Sequence, residues 1–197
     1  RQAARRMSIL LTITILVHCP TSLPSANAQM NVVFILVDDW GYADAGIQGS
    51  DFFETPNIDR FARQGLRFTQ AYAAAPICSP TRAAIMTGKF PARLDMTIWH
   101  EAAVRQRISK RKLIEAKAVP NLPLAEVTLA ELFKQKQYAT AHVGKWHLGR
   151  AAFYPEAQGF DVNVGGTYWG APATFFHPFR GPWSKTDPEL RYVPVGT

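Results

Sequence analysis

Cysteine is scarce in this sequence: its 197 residues hold two, Cys19 and Cys78. No set of ligand-type residues has the spacing of a zinc finger or ribbon, which excludes a structural zinc module. Long apolar runs are missing too. The N-terminal run Ile9–Val17 is well short of the roughly 20 residues that span a bilayer. There is no internal repeat and no low-complexity tract. Neither sign of charge dominates: 22 Lys and Arg face 15 Asp and Glu, a formal +7. Charged residues make up 19% of the chain and hydrophobic residues 47%, which excludes a disordered or fibrous polypeptide. With no long basic run and no aromatic RNA-binding strand motif, a nucleic-acid module is excluded as well. What remains is one globular domain or part of one.

Residues 1–28 read as an address. The first residue is Arg, and Met7 is the expected start. Arg5-Arg6, the apolar run and the small residues ending Ala26-Asn27-Ala28 have the layout of a secretory signal peptide. The mature chain, residues 29–197, is therefore expected to be exported, to the periplasm or the extracellular space, with no stable membrane anchor. Arg1, Arg5 and Arg6 carry three of the seven excess charges, which leaves +4 downstream. That excess fits a pocket for an anionic substrate, and a plain solvated surface equally well. Cys19 leaves with the signal. Cys78, alone in an exported chain, is then a free thiol, an intermolecular partner or a chemically special residue.

Along the mature chain, Asn31–Val37 is a continuous apolar, β-branched run ending at Asp38-Asp39-Trp40-Gly41. This predicts a strand buried on both faces of a parallel sheet, with the acidic pair at its C-terminal end, where open α/β sheets place ligands. Asn57–Gly65 predicts a helix with Ile58 and Phe61 on one face and Gly65 as its stop. Leu66–Ala73 predicts a second strand. Residues 76–88 run from Pro76 to Gly88, with Ala83–Met86 helical. His100–Ala118 is basic and weakly patterned, and predicts an insertion or surface excursion. Thr128-Leu129-Ala130-Glu131 is a capping-box signature, followed by Leu129, Leu132 and Phe133 at helical spacing. Tyr138–Val143 predicts a strand ending at Gly144-Lys145-Trp146-His147. From Ala151 the Gly-, Pro- and aromatic-rich sequence predicts long loops. Alternating strands and helices argue for an α/β layer fold with a mainly parallel sheet flanked by helices.

Three clusters fall at element ends: Asp38-Asp39, Cys78 with Arg82, and Lys145 with His147. Two adjacent carboxylates repel each other, and a hard divalent cation relieves them with oxygen ligands. Side chains of neighbouring strand residues point to opposite faces, so both reach one ion only if the backbone bends there. A helix that starts near Cys78 would favour an anion at its N-terminus, with Arg82 four residues on along the same face. Lys145 and His147, at positions i and i+2 of a strand, would share a face and point into one site. A lysine there neutralises anionic oxygens, and a histidine titrates near working pH.

These residues carry a resemblance. Cys78-Ser79-Pro80-Thr81-Arg82, followed by Thr87-Gly88-Lys89, resembles the C-x-P-x-R signature of type I, formylglycine-dependent sulfatases. Val37-Asp38-Asp39-Trp40-Gly41 resembles the family's metal-binding strand end. Gly144-Lys145-Trp146-His147-Leu148-Gly149 resembles its third motif, and the Asn57–Ala62 and Gly159-Phe160-Asp161 segments resemble further landmarks. The three principal motifs stand in family order, and the match covers most of residues 31–170.

The resemblance implies an alkaline phosphatase-like sulfatase fold and arylsulfatase-like hydrolysis of sulfate esters. It implies that a separate maturation enzyme oxidises Cys78 to formylglycine, whose hydrate attacks sulfur and splits one displacement into two steps. It implies one divalent cation, Ca2+ by family habit, on Asp38, Asp39 and the residue at 78, with Arg82, Lys145 and His147 as catalytic companions. The substrate would be a sulfated small molecule or glycan. The resemblance also implies a downstream Asp-Asn pair, a later Lys and a second His; no convincing Asp-Asn pair is found here, and Asp161-Val162-Asn163 is not one. Residues 29–197 are thus expected to be an N-terminal part of the catalytic domain, without its remainder and the C-terminal domain, inactive and poorly soluble alone. Two other readings stay open: a phosphate or phosphonate ester hydrolase of the same superfamily, and a non-catalytic relic that binds sulfated glycans. Asp44, Asp51, His100, His142 and His177 are weaker candidates with ready structural roles.

Overall fold

A computed structural model describes residues 29–105, 113 and 116–171. The signal-like segment, most of the basic stretch after Arg105 and the loops beyond Ala171, His177 included, lie outside the described residues. The chain divides into two compact units, Arg1–Val37 and Asp38–Thr197. Among the described residues no helix is long and apolar enough to cross a membrane.

In the first unit the predicted strand Asn31–Val37 is not formed. The segment carries no regular element, and Val33 and Ile35 are 84% and 81% exposed. The run has strand composition, but a strand also needs a ladder partner and covered faces. Among the described residues nothing pairs with it.

The second unit holds α1 (Pro56–Gln64), α2 (Cys78–Thr87), α3 (His100–Val104), α4 (Leu129–Gln135), β1 (Ala141–Val143) and β2 (Val162–Val164). Helix α1 starts with Pro56 at a position where a missing N–H costs nothing. Asp59 in its first turn accepts from Ile47 N at 2.8 Å and Thr55 Oγ1 at 3.0 Å. Its predicted apolar face is not covered: Ile58 and Phe61 are exposed. Helix α2 begins at Cys78, five residues before the helical stretch legible in the sequence. Pro80 fits in its first turn, and Gly88 closes it in a left-handed conformation with its N–H on Ala84 O. The second predicted strand, Leu66–Ala73, is irregular, with Leu66, Phe68 and Tyr72 exposed.

Helix α4 carries the predicted capping box in both directions. Glu131 N donates to Thr128 Oγ1 at 3.2 Å, and Thr128 N donates to Glu131 Oε2 at 2.7 Å. Its buried residue is Ala130, while Leu132, one of the three apolar residues at helical spacing, is exposed. β1 is the end of the predicted strand Tyr138–Val143. It pairs in parallel with β2, Ala141 opposite Val162 and Val143 opposite Val164. β2 lies in sequence read as loop, since three residues flanked by Gly and Asp give no periodicity to read. Gly159 leads into it at φ 96°, and a Cβ there would meet Glu131 N at 2.8 Å, so the chain passes against the α4 capping box.

Ala83, Leu94, Met96, Leu122, Trp146 and Leu148 form the buried core, with Met86, Val119, Tyr154 and Phe160 packed against it. Trp146 and Leu148 come from the segment that follows β1, and Ala83 from α2. The core thereby clamps the two motif-bearing segments together.

Candidate active site

Asp38, Asp39 and Cys78 converge: one ligand atom from each lies within 4.8 Å of the others. Asp39 has φ 52°, and this left-handed bend brings two consecutive carboxylates to one place, as the sequence required. Cys78 is the first residue of α2, so its side chain sits beside the helix's free N–H groups. It is a free, half-buried thiol.

Arg82 and Lys145 close around Asp38. Lys145 Nζ lies 2.6 Å from Asp38 Oδ2, and Arg82 Nη2 lies 3.6 Å from Asp38 Oδ1. Arg82 Nη1 also donates to the backbone carbonyl of Lys145, which ties α2 to the segment after β1. Burial lowers the Arg82 pKa, opposed by the Asp38 and Cys78 charges. The site is a carboxylate pair bracketed by two cations at a helix N-terminus. That arrangement can hold a sulfate-like anion through the cations and a divalent cation through the oxygens.

His147 departs from expectation. Strand alternation does not carry Lys145 and His147 to one face, because β1 ends at Val143 and His147 itself has φ 62°. The two side chains go to different partners: Lys145 to Asp38, His147 to Glu101, whose Oε2 is 2.7 Å from His147 Nε2. What links His147 to the Cys78 end of α2 is Ser79, whose Oγ donates to the His147 carbonyl at 2.8 Å.

Sequence reasoning missed Ser79 and Glu101. Ser79 occupies a variable position of the signature, and Glu101 lies in the stretch read as a surface excursion. A hydroxyl one residue after Cys78 was the only signal present. Among the weaker candidates, Asp44 accepts from Gly41 N at 2.7 Å, a turn contact, and Asp51 is exposed. His142 packs edge-on against Trp146 and Phe160, and burial, with the nearby Arg82 charge, lowers its pKa. His100 is buried beside His147.

The Sulfatase family model matches residues 30–178. Steryl-sulfatase of Homo sapiens is 40% identical over 124 residues, covering 63% of this chain and 20% of its own length. N-acetylgalactosamine-6-sulfatase of Canis lupus familiaris is 37% identical over 168 residues, covering 84% and 30%. Arylsulfatase G of Mus musculus is 40% identical over 141 residues, covering 71% and 24%. This chain thus spans under a third of the length of these relatives. Among solved structures, Ps i-CgsB in complex with k-i-k-neocarrahexaose aligns at a TM-score of 0.51 and 34% identity, over 66% of this chain and 26% of that one. The likeness carries the α/β sulfatase fold, here in part, and with the family model matched from residue 30 to residue 178 the chain belongs to the sulfatase family.

Proposed function

We propose that this protein belongs to an enzyme that hydrolyses sulfate esters, arylsulfatase-like, with its nucleophile made from Cys78. The observation that carries the reading is the convergence of Asp38, Asp39 and Cys78 at the start of α2, with Arg82 and Lys145 on Asp38. Family membership supports the reaction class, and the relatives' names, among them steryl-sulfatase and N-acetylgalactosamine-6-sulfatase, support a sulfated small molecule or glycan as substrate.

The donor set fits the proposed metal in part, and conversion of Cys78 would improve the fit. Two carboxylates are hard oxygen ligands of the kind Ca2+ takes, whereas a thiol is a soft one. Conversion of Cys78 to formylglycine by a maturation enzyme would replace sulfur with oxygen and complete an all-oxygen set with Asp38 and Asp39. When bound, such a cation polarises sulfate oxygens, and the hydrated aldehyde supplies the attacking oxygen. The chain's own residues do the rest. Lys145 and Arg82 offset negative charge as it builds on the sulfate oxygens, in a site where both side chains are largely buried. The free N–H groups of α2 hold the same charge from the backbone side. His147 handles protons. An exported location fits the signal-like N-terminus and a free, modifiable Cys78.

Tryptic mass spectrometry of the protein from its own host tests this on the peptide Phe68–Arg82. The expected result is loss of sulfur at Cys78 and an aldehyde that reacts with a hydrazide. An ordinary thiol there, in a host that converts other sulfatases, would remove the nucleophile and the reading with it.

A further inference from the structure

The residues after Trp99 are not a surface excursion at their start. Helix α3 opens with His100 at 1% exposure and places Glu101 against His147, itself 3% exposed. Burial opposes ionisation of Glu101, yet the carboxyl lies below its usual range, helped there by the hydrogen bonds it accepts from His147 and from its own backbone amide. An ionised carboxylate only accepts, so in the 2.7 Å contact His147 Nε2 bears the hydrogen, and in the neutral ring Nδ1 carries the lone pair. His147 Nδ1 is buried and has no hydrogen-bond partner among the described residues.

His100 obeys the same logic. Its Nδ1 is 2.7 Å from the Pro120 carbonyl, which cannot donate, so that nitrogen bears the hydrogen. Its Nε2 is likewise buried and without a partner among the described residues. Burial lowers the His100 pKa, which favours the neutral ring beside His147, whose centroid is 6.5 Å distant.

The His147 backbone is constrained as tightly as the ring. A bulky residue at φ 62° persists where its surroundings over-determine it. Here His147 N donates to Thr167 O at 2.9 Å, and its carbonyl accepts from Ser79 Oγ at 2.8 Å. The same Ser79 oxygen accepts from His100 N at 3.1 Å. One buried hydroxyl beside Cys78 therefore fixes the backbone of both histidines.

We propose that Glu101 is a positioning residue for His147: its carboxylate accepts from Nε2–H and holds the neutral imidazole in that tautomer with Nδ1 as its open acceptor, while Ser79 anchors the His147 backbone to the start of α2. This rests on the sulfate-ester reading of the site. It adds a residue that touches no reacting atom and acts through His147 alone.

Nitrogen-15 NMR of the histidine-labelled enzyme from its host reads the tautomer without turnover. The expected result is that neutral His147 carries its hydrogen on Nε2 with Nδ1 bare, and that Glu101→Ala gives a mixture of tautomers. A neutral His147 with its hydrogen on Nδ1 in the wild type overturns the proposal. In aryl sulfate turnover, Glu101→Ala and the isosteric Glu101→Gln should each lower kcat about 10- to 100-fold with KM within about twofold. Wild-type kcat in both variants also overturns it. A wild-type enzyme that releases no sulfate sinks the sulfatase reading instead, and the tautomer still reports whether Glu101 holds His147.

Discussion

At the scale of single residues, Arg82 shows what a motif position is for. Two nitrogens of one planar group reach two partners, Asp38 and the Lys145 carbonyl. Lysine would keep the charge but is a point donor on a flexible stem and cannot span both. Arg82→Lys should therefore lower kcat/KM for an aryl sulfate by about 100-fold, the scale of losing one preorganised transition-state donor. It should also lower unfolding free energy by about 1 kcal/mol, for the bond to a carbonyl that the shorter group leaves. Steady-state kinetics and urea titration read the two effects separately, and unchanged kinetics would mean that charge alone suffices at position 82. Cys78, Arg82 and the aspartate pair were legible because a fixed spacing at a helix start or a bend encodes their geometry. The destination of His147 was not. Reading Lys145 and His147 as strand neighbours assumed that β1 continued past Val143, and no periodicity signals a non-glycine residue at φ 62°.

At the scale of elements, the junction of α4, β1 and β2 was half legible. The Thr128 capping box could be read because its signature is local. The counterpart anchor, Asp161, could not, because its partners lie 21 and 27 positions away in sequence. Asp161 Oδ2 accepts from Thr140 N at 2.8 Å and Thr140 Oγ1 at 3.0 Å, and Oδ1 lies 2.7 Å from Lys134 Nζ. The hydrogen bond from Lys134 first, and those from Thr140 next, lower the Asp161 pKa from 3.8 to about 2. A carboxyl depressed in the folded state adds stability that is complete above its unfolded pKa and lost as pH falls through its folded pKa. The Asp161 share should therefore be intact above about pH 4 and vanish towards about pH 2. Thermal midpoints of wild type and Asp161→Asn, followed from pH 6 down to pH 2, should start apart and converge over that window. A gap that stays constant to pH 2 would show that the ionised form contributes nothing and that neutral hydrogen bonds hold the junction.

At the scale of the whole molecule, strand composition and strand formation part company. The most strand-like run, Asn31–Val37, forms no strand, while β2 forms in a sequence that carries no strand signal. A parallel strand is a relation between segments. Composition fixes only the willingness of one of them, and pairing and cover come from elsewhere in the fold. Left exposed, a seven-residue run without charge or proline is the composition that stacks between molecules. Val33 and Ile35 share one face of such an extended segment and are the most exposed of its apolar side chains. The chain from Gln29 onward should accordingly self-associate in light scattering at micromolar concentration. Val33→Lys with Ile35→Lys should shift it towards monomer, because like charges then oppose edge-to-edge pairing. If both proteins scatter alike, association proceeds through another surface, and the exposed Leu66, Phe68 and Tyr72 stretch becomes the next segment to charge.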